Sequence, residues 1–198
     1  MFVDQLTIIF LGPQGSGKGT QVQLLKDYLT AKNPGSVVYF TAGTTLRSFA
    51  AGEGYTQEKI RPLISAGKLI PTFIATNLFT SRLINGMHGE EHIILDGYPR
   101  TLEQIPDLHT ALQFYERKNI FVINIILSDA EAKRRMVGRG REDDTEEGIE
   151  ERLRWSNDES QKVSEWLAAN PLYNFVNING EQPIEAVHVD ILQALELK

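Results

Sequence analysis

Between the apolar run Leu6–Leu11 and an amphipathic stretch lies Gly12-Pro13-Gln14-Gly15-Ser16-Gly17-Lys18-Gly19-Thr20. With Gly12 and Gly17 as its two glycines, this segment fits G-x-x-x-x-G-K, and the hydroxyl that normally follows the lysine comes one place later, from Thr20. Such a loop binds anions. Glycines let the chain curl so that backbone N–H groups point inward at a helix N-terminus, whose dipole favours negative charge. Lys18 adds a full positive charge toward the outer phosphates of a nucleotide. A glycine-rich turn without a ligand is the bland alternative, and the order strand, loop, lysine, helix argues against it. The loop says nucleotide and not reaction: a motor ATPase, a GTPase and a kinase of small molecules all carry one.

Further along, Asp96-Gly97-Tyr98-Pro99-Arg100-Thr101 follows the apolar run His92–Leu95. A carboxylate ending a strand beside the phosphate loop is placed to order magnesium and its waters, although Asp96 could equally cap a turn. Arg100 follows a Gly-x-Pro turn that sets its direction. Arg135, Arg139, Arg141 and Arg152 come later, with Asp143 and Asp144 among them. Each arginine alone reads as readily as a surface ion pair. Together, in a chain whose net charge is −6, they argue for a binding site for several phosphates. Asp143 and Asp144 read either as orienting these arginines or as acids at a helix N-terminus.

The elements that must carry these residues alternate. Leu6–Leu11, Val37–Phe40, His92–Asp96, Ile120–Leu127 and Asn174–Ile178 are short apolar runs without period-two alternation, as expected of parallel strands covered on both faces. Between them lie helical stretches, Gly19–Thr30, Pro71–Ile84, Leu102–Arg117, Asp129–Val137, Thr145–Leu167 and Ile184–Leu195, with Asp129 and Thr145 as expected N-caps. This is the pattern of a doubly wound α/β domain. Thr41–Leu69 breaks the rhythm with two short helical pieces, Thr44–Ala51 and Gln57–Ala66, and reads as a small helical insertion.

Composition narrows the classes. The 198 residues suit one domain with an insertion. The excess of 26 Asp+Glu over 20 Lys+Arg argues against a general nucleic-acid or membrane-surface binder. Cysteine is absent, which excludes a disulfide, a thiol nucleophile and Cys-ligated zinc. His88, His92, His109 and His188 lack metal-ligand spacing and read as structural. The start, Met1–Thr20, has too short an apolar run for a leader, and no uncharged run approaches the roughly 18 residues of a membrane span. A cytoplasmic protein, monomeric by default, is the expectation.

Read together, GPQGSGKGTQ (12–21), TAGTTLR (41–47), GKLIP (67–71), DGYPRTLEQ (96–104), RMVGRGREDD (135–144), ERL (151–153) and NGEQP (179–183) resemble the adenylate kinase family of nucleoside monophosphate kinases, in the family's order and over nearly the whole chain. The resemblance implies a P-loop NTPase fold. Its parts would be a five-stranded parallel sheet, an acceptor-binding helical insertion over 41–70 and a short lid over 138–144. It implies reversible transfer of the γ-phosphoryl group of ATP, with Mg²⁺ and without zinc, to AMP, giving two ADP. By motif correspondence Gly15, Ser16, Gly17, Lys18, Gly19 and Thr20 would cradle the ATP phosphates, and Arg135 and Gln182 would line the donor base. Arg47 and Arg100 would grip the acceptor phosphate. Ala42, Lys68, Leu69, Ile70, Gly97, Tyr98 and Gln104 would line the AMP site, with Gln104 on the adenine. Arg139, Arg141 and Arg152 would close over the transferring phosphates, and Asp96 would hold magnesium through water.

The chemistry of the residues agrees. Two polyanions must be brought together, and arginine offsets their repulsion with a planar fork that stays charged. No protein nucleophile is required, since phosphoryl transfer needs alignment and charge stabilisation. The sequence departs from the family at Ala42, where threonine usually stands, and at Thr44, where aspartate does. Alanine there resembles UMP/CMP kinases, whereas Thr101 and Gln104 resemble adenylate kinases, so a UMP/CMP or broad-specificity kinase is the alternative acceptor reading. A regulatory P-loop ATPase is the alternative of another class; it would hydrolyse slowly and transfer nothing. Only Gly140 separates Arg139 from Arg141, which marks the short-lid form.

Overall fold

The computed structural model describes residues 5–32, 37–141 and 143–197. The opening residues of the leader reading and Glu142 of the expected lid lie outside them. Five strands form one parallel sheet: β1 (Leu6–Leu11), β2 (Val37–Thr41), β3 (His92–Asp96), β4 (Asn119–Ile126) and β5 (Asn174–Asn179), in the order β2-β3-β1-β4-β5. The central strand β1 is buried along its length, with Ile9 beside Leu95 on one side and Val122 on the other. The inner strands β1 and β3, covered on both faces, need no polar alternation and read as nearly continuous apolar segments; the edge strands depart from that expectation, β2 being buried at alternate residues and β5, with three asparagines, largely unburied.

Helices cover both faces. On one lie α1 (Lys18–Lys32) and α9 (Ile184–Ala194), whose Val22, Leu25, Leu29, Val187 and Ile191 pack on Ile8, Phe10, Ile94 and Ile123. On the other lie α4 (Thr72–Gly86), α5 (Ile105–Phe114) and α8 (Gln161–Ala169). Their Phe79, Leu83, Leu108, Leu112, Val163 and Leu167 pack on Ile9, Phe40, Ile93 and Val122. Helix α1 leaves β1 on the first face and α5 follows β3 on the second. A crevice therefore opens between the carboxyl ends of these neighbouring strands, where ligands bind in open α/β sheets.

Two satellite clusters carry the rest. Leu46, Ala50, Ile60 and Ile74 join α2 (Ala42–Ala50) and α3 (Tyr55–Ser65) to α4. Leu127, Ala132, Met136 and Ile149 join α6 (Asp129–Arg139) to α7 (Glu146–Trp155).

Several boundaries differ from expectation for local reasons. Helix α6 is capped by Ser128, whose Oγ accepts from Glu131 N, and not by Asp129, which becomes its first residue; Thr145 caps α7 as expected. The stretch 145–167 is not one regular helix: a π-helical turn, Ser156–Ser160, separates α7 from α8. It falls on Ser-Asn-Asp-Glu-Ser, in which every residue but Glu159 is a weaker helix former. Leu102–Gln104 is a tight 3-10 turn before α5, whose first turn contains Pro106, and the helix ends before Glu116 at φ 53°. No helix among the described residues is long and apolar enough to cross a membrane.

Candidate active site

The crevice is built from strand ends. Leu11 ends β1 and the chain turns at Gly12, φ 125°, where a Cβ would run into the carbonyl oxygen of Ile125. Only glycine fits there. Gly15 and Gly17 also take positive φ, and α1 begins at Lys18, whose Nζ donates to the carbonyls of Gly12 and Pro13 at 2.8 Å each and to Ser16 Oγ at 3.2 Å. The loop thus holds its own lysine across the mouth of the turn. Withdrawal from water, opposed by Asp96 and helped by Arg100 and Arg139, lowers the Lys18 amine to about 8.

Asp96 ends β3, next to β1 and in register with Thr41 of β2. Its Oδ2 accepts from Thr41 Oγ1 at 3.3 Å and Tyr39 Oη at 3.4 Å. Both partners escaped the sequence reading. Period-two spacing puts residues 39 and 41 on one face of β2 and could have exposed them.

Beyond β3 the Tyr98–Pro99 peptide is cis, and Arg100 is fixed at both ends. Its N–H donates to Gln104 Oε1 at 2.7 Å, its Nε to Gly97 O at 2.8 Å, and its guanidinium lies over the Trp155 ring, 5.1 Å from the centroid. Burial pushes Arg100 down to about 10, against Asp96 and with Arg47 and Arg152.

A carboxylate network gathers the other arginines. Asp144, its side chain 1% exposed, takes Arg139 in a two-pronged pair at 2.8 and 2.9 Å and Arg152 Nη1 at 2.9 Å. Asp143 accepts from Arg152 Nη2 at 2.6 Å and stands 4.0 Å from Arg47. Burial alone would raise the Asp144 carboxyl; the hydrogen bond and charge of Arg139 outweigh it and hold it below the usual carboxylate range. Both aspartates precede the Thr145 cap, and Glu146 and Glu147 occupy the first turn of α7, so orientation of the arginines is the role the geometry gives them. Arg135 on α6 donates to Glu131 at 2.6 Å and to Gly180 O at 3.0 Å, which sets it beside the turn that carries Gln182.

Together these elements enclose a cleft of ≈ 490 Å³, within the range of small-molecule sites. The expected residues Gly15, Gly17, Lys18, Gly19, Thr20 and Asp96 line it. So do Arg47, Lys68, Ile70, Arg100, Arg135, Arg139, Arg141 and Arg152, drawn from five separate segments of the chain. Others are not brought to its wall. Ser16 is buried under Lys18, and Ala42 is buried at the start of α2. Leu69 does not reach the wall, while Gly97 supports Arg100 from behind. Tyr98 is fully buried, stacked on Phe79 at 4.3 Å. Gln104 is buried and holds the Arg100 backbone, and the Gln182 side chain turns back to Asn179 O and Asp190. Trp155, unremarked in the sequence, lines the cleft with Tyr39, Thr44 and Ile64. Its signal was the i, i+3 spacing from Arg152 on one helix face. Among the described residues no three or more His, Cys, Asp or Glu side chains gather as a metal site.

A loop for phosphate, a strand-end carboxylate and converging arginines on a parallel sheet make a site suited to phosphorylated ligands. The family model described as adenylate kinase matches residues 10–170. The chain is 31% identical over 191 residues to the adenylate kinase of Corynebacterium urealyticum, covering 96% of this chain and 99% of that one. It is 32% identical to the adenylate kinase of Campylobacter curvus, covering 95% and 96%, and 33% identical to that of Corynebacterium aurimucosum, covering 94% and 97%. A likeness that runs nearly end to end and includes the cleft-lining segments places this chain in the adenylate kinase family.

Proposed function

We propose that the cleft binds MgATP and AMP together and transfers the γ-phosphoryl group from one to the other, reversibly, giving two ADP. The observation that carries this is the convergence of Lys18, Arg47, Arg100, Arg135, Arg139, Arg141 and Arg152 on one cleft in a chain of net charge −6. The Gly15–Thr20 turn receives the donor phosphates, and Lys18 exchanges its loop carbonyls for phosphate oxygens. Arg135 flanks the donor base beside the Gly180–Gln182 turn. Arg47 and Arg100 take the acceptor phosphate, with Lys68 and Ile70 at the acceptor end. Arg139, Arg141 and Arg152 sit across the middle, where charge on the equatorial oxygens develops.

Magnesium arrives as part of the substrate. Asp96 and Thr20 offer oxygen ligands beside the phosphate loop, a hard but sparse donor set. It fits an ion held chiefly by nucleotide phosphates and water, with Asp96 reaching it through water. The segments 41–70 and 138–144 act as acceptor arm and short lid, excluding water from the transferring group.

A coupled turnover assay with MgATP against AMP, CMP, UMP and GMP tests the reading. AMP is the expected preferred acceptor, although Ala42 is buried and Gln104 holds the Arg100 backbone. Preference for UMP or CMP would hand the acceptor to the alternative reading, and no transfer to any acceptor would overturn the proposal. Lys18→Ala and Arg100→Ala each lower kcat by about a hundredfold or more with the circular dichroism spectrum unchanged.

A further inference from the structure

Trp155 is a cleft residue without an assigned task. It ends α7 on the face that also buries Gly148, Ile149 and Arg152, and only 6% of it is exposed. Its indole Nε1 donates to the Gly67 carbonyl at 2.9 Å, and its ring carries the Arg100 guanidinium. Gly67, φ 67°, is pressed so closely on α7 that a Cβ would collide with the Gly148 carbonyl. Lys68, the next residue, lines the cleft. The same indole borders a small adjoining cavity with Gly12, Gln14, Lys18 and Arg100.

Two ways of holding an arginine stand side by side here. Arg139 and Arg152 are held by carboxylates, each of which takes up part of the guanidinium's N–H donors and neutralises part of its charge. Arg100 is held by the face of an aromatic ring and by one carbonyl on Nε. A π-face attracts the cation without taking any in-plane N–H group. The terminal nitrogens of Arg100 stay available for a two-pronged grip on phosphate, with the guanidinium plane already set. The indole N–H meanwhile anchors the turn that presents Lys68.

We propose that Trp155 is a positioning residue for the acceptor phosphate: it sets the plane of Arg100 through its ring and the Gly67–Lys68 turn through its Nε1. The inference rests on the assignment of Arg100 to the acceptor and deepens it.

The test is steady-state kinetics on the full chain, with the KM for AMP and for MgATP measured separately in Trp155→Phe, Trp155→Leu, Arg100→Lys and the Trp155→Leu/Arg100→Lys double variant. Trp155→Leu raises the AMP KM about tenfold and leaves the MgATP KM within about twofold. Trp155→Phe, which keeps a ring and loses the Nε1 bond, falls between Leu and wild type. In the double variant the combined rise falls short of the product of the two single rises, because the ring acts through Arg100 while only the Nε1 bond to Gly67 acts apart from it. An unchanged AMP KM in Trp155→Leu, a parallel rise in both KM values, or multiplication of the two effects overturns the positioning role. An unchanged AMP KM in Arg100→Lys sinks the acceptor assignment first, and this role with it.

A second measurement does not depend on how well the Leu variant folds. The chain has 2 tryptophans, and Trp166→Phe leaves Trp155 as the sole indole, since Trp166 lies half-exposed on α8 against Tyr173. AMP alone then shifts its emission, and Arg100→Lys abolishes the shift. An emission unmoved by saturating AMP overturns the proposal.

Discussion

At the scale of single residues, the cleft mixes groups already neutralised with groups kept ready. Asp144 belongs to the first kind. It sits between Arg139 and Arg152, the latter almost fully buried, and its removal would take the carboxylate from Arg139 and leave Arg152 with Asp143 alone. Asp144→Asn keeps the shape and removes the charge. Losing the charge-assisted hydrogen bonds of this partly compensated network costs about 1.5–3 kcal/mol, so chemical denaturation should show a lower midpoint and turnover should fall with it. A loss below about 1 kcal/mol would contradict the central place given to Asp144. Lys18 belongs to the second kind. Its amine, held at about 8 by desolvation, is mostly protonated at neutral pH and loses its proton as the medium turns basic. The free enzyme therefore binds MgATP less well above about pH 8, and kcat/KM for MgATP falls there. Bound phosphates favour the charged amine, so kcat keeps its plateau to higher pH. A kcat/KM flat from neutral pH to about 10 would show that Lys18 is not the group that titrates.

At the scale of elements, the site depends on how strand ends are tied down, and β1 has its own tie at the opposite end. The Leu6 N–H donates to His92 Nδ1 at 3.0 Å, while Arg117 donates to Thr7 Oγ1 and Leu6 O at 3.0 and 2.9 Å. Burial lowers His92 below its ordinary value, and Arg117 lowers it further. The folded chain thus binds fewer protons at this histidine than the unfolded chain does. Stability from His92 is complete above the unfolded value, about 6.5, and is lost as the pH falls below it. Melting temperatures taken from neutral pH down to about 5 should decline. His92→Asn, which can accept the same N–H without titrating, should flatten that decline. A wild-type slope retained in the variant would assign it to other groups. The helices show a different dependence. The π-turn Ser156–Ser160 lets α7 present Arg152 and Trp155 to the cleft while α8 presents Val163 and Leu167 to the sheet. A uniform helix period across 145–167 does not foresee that change of face.

For the whole molecule, what was legible in the sequence was whatever a period or a fixed spacing encodes. The strands at 6–11 and 92–96 stand where their apolar runs placed them, because burial on both faces leaves an unbroken apolar stretch, Ile8–Leu11 in β1 and Ile93–Leu95 in β3, to mark them. The phosphate loop was legible from its glycines and lysine. The arginines were legible as a set, although their convergence comes from a sheet order that brings β1 between β3 and β4. Less legible was what each polar group does once the backbone has turned. Gln104 spends its Oε1 on the Arg100 N–H, and Tyr98 joins Phe40 and Phe79 in the core. Both belong to the motif most specific to the family, so spacing alone did not separate scaffold from wall. Trp155 was hidden for the reverse reason: a lone aromatic on a helix face looks like core until the turn at Gly67 is seen to dock on it.

The short segment between α6 and α7 has a consequence for how such a chain can change over time. Gly140 ends α6 in a left-handed conformation, Asp144 N donates to Arg141 O at 2.9 Å, and Asp144 clasps Arg139. Both stems are held together by bonds that lie outside the tip of the turn. Extra chain spliced in at the tip has its ends joined already, and each doubling of loop length adds only about 0.6 kcal/mol. Lid length is therefore a nearly independent variable of this architecture. A lineage can lengthen or trim it, even to the size of a small domain, without renegotiating the arginines beneath.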